Sequence, residues 1–290
     1  MKIKVITSYK PGTFDTFTKR SIQSILDNWP DDIDIYIYHE AQTKDIFEHP
    51  RVKWIDLHKA QPELVKFKQK HKNDPVANGE LQEIPGGVHR EGSGPGAVGK
   101  GSFLFQAVRF ANKVFCVTHS LKTLNDYDYV VWLDADTYTF RPIPKDVLEK
   151  LLPQNTLVTY LSREGVDPEC GFVGYNLKHS RIKSFANDWE KMYINNEVFK
   201  LTWGWTDCST LKNLIKLLEK NLKINNIGQA KGVQGHHVFI NSELGLYIDH
   251  FKGKRKQMGT SVVNDLLPDS EATKLDYWKQ VPTSLPEKKK

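Results

Sequence analysis

Cysteine is scarce in this chain, long apolar runs are missing, and neither sign of charge dominates. Three cysteines, Cys116, Cys170 and Cys208, are spread through 290 residues. Wide spacing and an odd count imply neither a disulfide framework nor a zinc motif, and a reducing compartment is the simplest expectation. No run approaches the roughly 18–20 apolar residues of a membrane span. Residues 1–10 carry basic side chains but lack the apolar stretch of roughly 7–15 residues that marks a secretory signal. A cytoplasmic protein without a transmembrane segment is therefore expected. The formal charge is +6, and the last four residues, Glu287-Lys288-Lys289-Lys290, hold three of the lysines. An excess that small does not argue for nucleic acid, although it suits an anionic small ligand. With 39% hydrophobic and 26% charged residues the chain is neither disordered nor fibrous in composition. Its length corresponds to about one or two domains, and there is no internal repeat.

The first clear pattern is strand, helix, strand. Ile3, Val5 and Ile6 lie in a strand over 2–9 that stops at Pro11-Gly12. Thr13 is then positioned to cap a helix bearing Phe14, Phe17, Ile22, Ile25, Leu26 and Trp29 at spacings near three and four. Strands are expected over 33–38 and 52–57, and a helix over about 102–119. The strongest strand runs from Tyr127 to Leu133, with the continuous apolar run of a buried parallel strand. Further strands are expected over 156–161, 171–175 and 244–248, with helices near 179–195 and 206–220. Alternating β and α units imply an α/β fold with a mostly parallel twisted sheet flanked by helices. A single domain over 1–262 is expected, with a first half over 1–140 and a second over 141–262. Residues 263–290 read as a polar C-terminal tail. The Gly- and Pro-rich stretch 74–101 reads as a flexible loop, and its 92–101 portion lacks the Walker spacing followed by Lys-Ser or Lys-Thr, since Gly101 follows Lys100.

Two elements carry chemistry. Asp134 and Asp136 sit just past a buried strand, at the sheet end where α/β folds place ligands. Carboxylates one residue apart repel unless a cation or hydrogen bonds compensate them, and oxygen ligands of this kind suit Mg²⁺ or Mn²⁺ bridging to phosphate. The plain competing reading is ordinary strand-end turn chemistry. The second element is His250-Phe251-Lys252-Gly253-Lys254-Arg255-Lys256. A strand-end His can add a nitrogen ligand, Gly253 lets backbone approach a phosphate, and the lysines and arginine offer charge to a diphosphate. Alone, this segment also reads as a solvated basic loop.

Together the two elements resemble a known group. Leu133-Asp134-Ala135-Asp136-Thr137 resembles the Asp-x-Asp motif of GT-A fold glycosyltransferases. His250-x-x-Gly253-x-x-Lys256 resembles the closing motif of glycosyltransferase family 8, the group of glycogenin and the lipopolysaccharide galactosyltransferases, with Gln257-Met258 where that motif carries Pro-Trp. Thr7-Ser8-Tyr9 is similar to the nucleotide-binding first strand, and the segment from Cys170 to Asn176 to the strand near the transferred sugar. The resemblance implies a metal-dependent hexosyltransferase that uses a nucleotide-diphosphate sugar, here a UDP-sugar with retention of configuration. It makes Asp134, Asp136 and His250 the ligands of Mn²⁺ or Mg²⁺. Thr7, Tyr9, Lys113, Asp134, Gly253 and Lys256 become donor-binding residues, with Arg109 as the alternative to Lys113. The acceptor, whether a saccharide, a lipid-linked sugar or a protein, is left open.

Asp207 and Glu169 are the candidates to steady an oxocarbenium-like sugar, although Asp207 with Thr206 also reads as a helix start. Trp203 and Trp205 can stack on an acceptor or serve as core. His236-His237 does not read as a single-ion pair, because neighbours in a strand face opposite ways. Two other functions fit parts of the pattern. Asp134-Ala135-Asp136-Thr137 also matches the nucleophile motif of haloacid dehalogenase-like phosphatases, which would leave the 250–256 segment unused. A non-catalytic sugar-nucleotide or glycan-binding module is the third reading.

Overall fold

The computed structural model describes residues 1–40, 44–79, 103–163, 165–228 and 237–286. In chain order the elements are β1 (Ile3–Ser8), α1 (Lys19–Asn28), β2 (Asp34–His39), β3 (Val52–Asp56), α2 (Leu57–Ala60), α3 (Pro62–Lys70), α4 (Ala107–Thr123), β4 (Tyr129–Leu133) and β5 (Thr137–Thr139). They continue with α5 (Lys145–Leu151), β6 (Val158–Leu161), β7 (Glu169–Asn176), α6 (Ile182–Ile194), α7 (Asp207–Leu218), β8 (Asn225–Asn226), β9 (Ile248–His250), α8 (Arg255–Met258) and α9 (Asp276–Gln280).

Seven strands form one sheet in the order β3-β2-β1-β4-β7-β6-β8, while β5 and β9 pair separately. The β3-β2-β1-β4 stretch is parallel, and β7 runs antiparallel to both of its neighbours. The fold is therefore α/β with a mainly parallel sheet, and the sheet draws strands from both sides of residue 140. From β1 the chain builds outward to β3 and then returns to lay β4 on β1's other edge. That reversal opens a crevice at the carboxyl ends of β1 and β4. All five residues of β4 are buried. Tyr129, Val131 and Leu133 face one core, which α1 joins through Ile22 and Ile25. Val130 and Trp132 face the other, shared with Val114 and Phe115 of α4 and Phe185 and Trp189 of α6. A strand apolar on both faces forms because both faces are covered.

Several local expectations need correction. Thr13 does not cap a helix: its hydroxyl donates to the Lys10 carbonyl, a π-helical turn spans Phe14–Thr18, and α1 begins only at Lys19. Residues 103–105 form a 3₁₀ turn, so α4 starts later than the apolar pattern suggests. The strand expected over 244–248 is a 3₁₀ turn, Glu243–Leu246, followed by β9. Much of the 74–101 stretch, including its Gly-rich portion, lies outside the described residues.

The largest correction concerns the C-terminus. Residues 263–286 do not form a solvated tail. Leu266, Ala272, Trp278 and Val281 are buried in the α1-side core. Trp278 Nε1 donates to the Gly245 carbonyl at 2.9 Å, and the Tyr277 ring stacks on Phe140 with centroids 4.0 Å apart. Tyr277 also donates to Asp249 Oδ2 at 2.8 Å, so this segment braces β9. Its apolar residues act as single anchors, with no helical or strand period to betray them.

Away from the crevice, Lys4 is fully buried in β1. Its ammonium lies 3.2 Å from the Tyr36 ring centroid and 3.7 Å from that of Tyr127, with Asp34 Oδ2 at 3.9 Å. Burial pushes Lys4 down to about 7, against the opposing pull of Asp34. Between pH 7 and the ordinary lysine value near 10.5, the unfolded chain holds a proton that the folded chain has released. Stability contributed by this site therefore rises with pH across that window. Urea unfolding of wild type and Lys4→Met at pH 6.5 and 9.5 tests this. The wild type should gain on the order of 3 kcal/mol relative to the variant at the higher pH. A gap independent of pH would show that Lys4 stays charged.

Candidate functional site

Hydrogen bonding of strand ends gathers the site. Asp134 follows β4, and its amide donates to the Gly171 carbonyl of β7 at 2.9 Å. β5 then pairs with β9, placing Thr137 opposite His250, and the Phe251 amide donates to the Asp136 carbonyl at 2.8 Å. Residues far apart in sequence are thus fixed side by side through backbone.

Each of the two carboxylates divides its oxygens. Asp134 Oδ1 accepts from Trp132 Nε1 at 2.6 Å and from Lys113 Nζ at 2.9 Å. Asp134 Oδ2 lies 3.6 Å from His250 Nε2. Asp136 Oδ2 pairs with Lys256 Nζ at 2.5 Å, while its Oδ1 lies 3.3 Å from the same His250 nitrogen. Burial alone would raise the Asp136 carboxyl, but His250 and Lys256 overcome it and hold the group well below the usual carboxylate range. On the far side of the imidazole, Nδ1 stands 3.7 Å from Glu169 Oε1 and has no hydrogen-bond partner among the described residues. Glu169 also receives the Gly171 amide at 3.0 Å and pairs with Lys252. Burial, with Arg163 and Lys113 nearby, pushes Lys252 down to about 8 in spite of Asp134 and Asp136.

Asp134 Oδ2 and Asp136 Oδ1 thus each stand beside His250 Nε2, with their other oxygens committed elsewhere. Two hard oxygens and one imidazole nitrogen form a donor set that fits Mg²⁺ or Mn²⁺. Asp134, Glu169 and His250 also form a cluster whose donor atoms lie within 4.8 Å of one another. Gly171 makes room for this arrangement: a Cβ there would stand 2.5 Å from His250 Cε1 and 2.8 Å from Nδ1.

Lys113 joins this cluster to a deeper one. Its ammonium donates to the Cys170 carbonyl at 2.7 Å and pairs with Asp207 Oδ2 at 2.8 Å, in addition to Asp134. Burial works to neutralise Lys113, yet Asp134 and Asp207 outweigh it and lift the group well above the ordinary lysine value. Asp207 also begins α7, whose end is capped by Thr206 accepting the Ser209 amide at 3.0 Å. Helix start and site neighbour are therefore both true of this residue. Arg109, the alternative to Lys113, bonds Gln106 and packs over Phe103 and Phe110 instead.

The remaining sequence candidates are more scattered. Thr7 is buried at the end of β1, with a hydroxyl lacking a partner among the described residues. Tyr9 donates to Asp45 Oδ2 at 3.0 Å and packs against Phe14 and Trp54. Gly253 takes a left-handed φ of 56° in the turn before α8, with open space where a Cβ would stand. Trp205 is core: it is buried, bonds the Leu201 carbonyl and packs on Phe105 and Phe199, so it cannot stack on an acceptor. Trp203 is exposed, with Lys212 Nζ 5.4 Å from its ring centroid. His236 lies outside the described residues. His237 is buried beside His250 and bonds its carbonyl at 2.8 Å, and burial followed by the His250 charge pushes it down to about 3.

Three features escaped the sequence reading. Trp132 as a donor to Asp134 was hidden because it reads as core. The role of Gly171 as space for an imidazole needs the β7–β9 approach to be known. The proximity of Cys170 to Cys208 has no signal in their spacing.

No family model matches the chain, and no curated protein matches it. Among solved structures it is similar to mouse xyloside xylosyltransferase 1 in its apo form, with a TM-score of 0.46 and 9% identity over 78% of this chain and 84% of that one. Identity that low assigns neither residues nor substrate. No helix among the described residues is long and apolar enough to cross a membrane.

Lys113 offers a direct test of the electrostatics. Lys113→Met leaves two carboxylates, one of them deeply buried, without their shared cation, and should cost on the order of 3–5 kcal/mol. Adding Asp207→Asn should recover part of that loss, because the two sites are coupled. Urea denaturation of the single and double variants measures it, and strict additivity would mean that the pairing is not formed.

Proposed function

We propose that the chain is a metal-dependent glycosyltransferase that moves a hexose from a nucleotide-diphosphate sugar. One observation carries this reading. Two carboxylate oxygens flank one imidazole nitrogen at the carboxyl end of a central parallel strand, and the surrounding carboxylates of Asp134, Asp136 and Glu169 pair with the Lys113, Lys256 and Lys252 ammonium groups. A hard-ion donor set beside ammonium groups suits a ligand with a compact, high negative charge such as a diphosphate.

In this reading Asp134, Asp136 and His250 hold Mn²⁺ or Mg²⁺, and the ion supplies Lewis-acid compensation for the departing nucleoside diphosphate. Glu169 lies on the far side of the imidazole, 3.7 Å from Nδ1, and offers it a carboxylate charge rather than a hydrogen bond. Lys256, reaching in from α8, meets the growing charge on the leaving group, and Gly253 lets backbone come close to it. An interaction that strengthens as the anomeric bond breaks lowers the barrier more than one present equally at the start. Asp207, paired with Lys113, is read as the group that steadies the positive charge developing on the sugar. Thr7 and Tyr9 at the end of β1 face the nucleoside. The donor is read as a UDP-hexose transferred with retention, and the acceptor as a saccharide, a lipid-linked sugar or a protein.

The phosphatase reading fares less well, since it needs Asp134 free to attack. Its Oδ1 already serves the Trp132 and Lys113 donors, and that reading gives no task to His250 or Lys256. A binding module would keep the same donor set without turnover.

A panel of sugar nucleotides with and without Mn²⁺ tests the proposal. Thermal stabilisation should grow with the concentration of the right donor, and slow donor hydrolysis should depend on the metal. Lys256→Met should lower turnover by about 10²–10³. Phosphomonoester hydrolysis without any response to sugar nucleotides would overturn the assignment. Inversion in the anomeric proton signal of the product would remove the claim of retention alone.

A further inference from the structure

Behind the hard-donor cluster lies a second group of a different chemical kind. Cys170 of β7 and Cys208 of α7 bring their thiols together beside the Asp207 carboxylate, and the three donor atoms lie within 4.8 Å of one another. The Cys208 thiol donates toward Asp207 Oδ2 at 3.8 Å, and neither cysteine is in a disulfide. Cys170 and Asp207 are buried, while Cys208 is half-buried. Cys116, the third cysteine, is buried in α4 and does not belong to the group.

We propose that Cys170, Cys208 and Asp207 form a binding site for a soft or borderline divalent cation, Zn²⁺ in the first instance, separate from the Asp134–Asp136–His250 set. Two sulfurs and one carboxylate oxygen match the tetrahedral preference of zinc and leave its fourth position open. Thiolates select Zn²⁺ over Mg²⁺ and Mn²⁺, whereas the carboxylate and imidazole set accepts the harder ions, so softness sorts the two sites.

The nearby Lys113 ammonium repels an uncompensated cation. Proton balance removes that objection. As Zn²⁺ binds, each thiol gives up its proton to solvent and each sulfur donates its electron pair to the metal. Two positive charges arrive and two depart, so Lys113 meets no added net charge. Lys113 and the ion do share one partner, because Asp207 Oδ2 is the oxygen that Lys113 holds at 2.8 Å. Zinc in this site draws on the carboxylate that anchors Lys113, and through Lys113 it reaches Asp134.

The test uses the full chain, reduced with a phosphine in chelator-free buffer, and does not depend on any transferase activity. Titration with Cd²⁺ should give an ultraviolet thiolate-to-cadmium charge-transfer band that saturates at one ion per chain. Zn²⁺ should abolish the band by displacement, whereas excess Mn²⁺ should leave it. Cys208→Ser and Cys170→Ser should each weaken Cd²⁺ binding about tenfold or more, and Cys116→Ser should leave it unchanged. An absent band, or one that persists in Cys208→Ser at the same midpoint, overturns the proposal. A measurement free of variants guards against misfolding: Zn²⁺ added to unbuffered wild type should release two protons per ion in a pH-stat, and release of none overturns the site.

Discussion

Two acidic side chains separated by one residue, at the end of a strand buried on both faces, set the condition that the rest of the site must meet. Carboxylates so placed repel one another and lose water, and the low dielectric around them makes both penalties larger. The structure meets the condition by dividing the work of each carboxylate. One oxygen of Asp134 serves Lys113 and Trp132, and one oxygen of Asp136 serves Lys256. The two remaining oxygens turn toward His250 Nε2. Lysines thus lower the cost of holding the pair together while leaving one oxygen of each carboxylate beside the imidazole.

Backbone pairing, more than side-chain reach, produces that arrangement. β7 runs against β4 and brings Glu169, Cys170 and Gly171 to the strand end that carries Asp134. β9 runs against β5 and brings His250 beside Asp136. A two-stranded ribbon of three residues each is weak by itself. Its support comes from the C-terminal segment, where Tyr277 bonds Asp249 and Trp278 bonds Gly245, while Ser261 donates its amide to Asp249 at 2.8 Å and its hydroxyl to the His250 carbonyl at 3.2 Å. Ser261, Tyr277 and Trp278 therefore brace the short strand that carries His250 and the turn before it.

How far this was legible from sequence follows from which signals are local. The β4 run of Tyr129–Leu133 announces a strand covered on both faces, and it alone places Asp134 and Asp136 at a sheet end. The alternation of strands and helices gives the sheet class for the same reason: each element carries its own period. Contacts between elements carry no such mark. Nothing near Trp132 shows that its indole nitrogen reaches forward to Asp134, and nothing near Trp205 separates a core ring from a stacking platform. Thr13 looks like a cap because its residue type is right, yet its hydroxyl finds the Lys10 carbonyl first. The 263–286 segment misled most. Its composition is polar, and burial rests on a few isolated anchors whose partners, Phe140, Gly245 and Asp249, lie in other elements.

Lys113 ties these levels together. It rises from the middle of α4, where helix packing against the sheet fixes its direction, and its single ammonium serves Asp134, Asp207 and the Cys170 carbonyl. A largely desolvated cation with three acceptors from three elements is stable only while all three remain in place. Any change that moves β7, α7 or the end of β4 is therefore felt at the others through one nitrogen. The hard donors on one side of Lys113 and the thiols on the other are consequently not independent neighbours. Each set shares a carboxylate with the same lysine, Asp134 on one side and Asp207 on the other. That coupling needs no hinge or moving domain; it is a property of a single ion pair divided between two carboxylates.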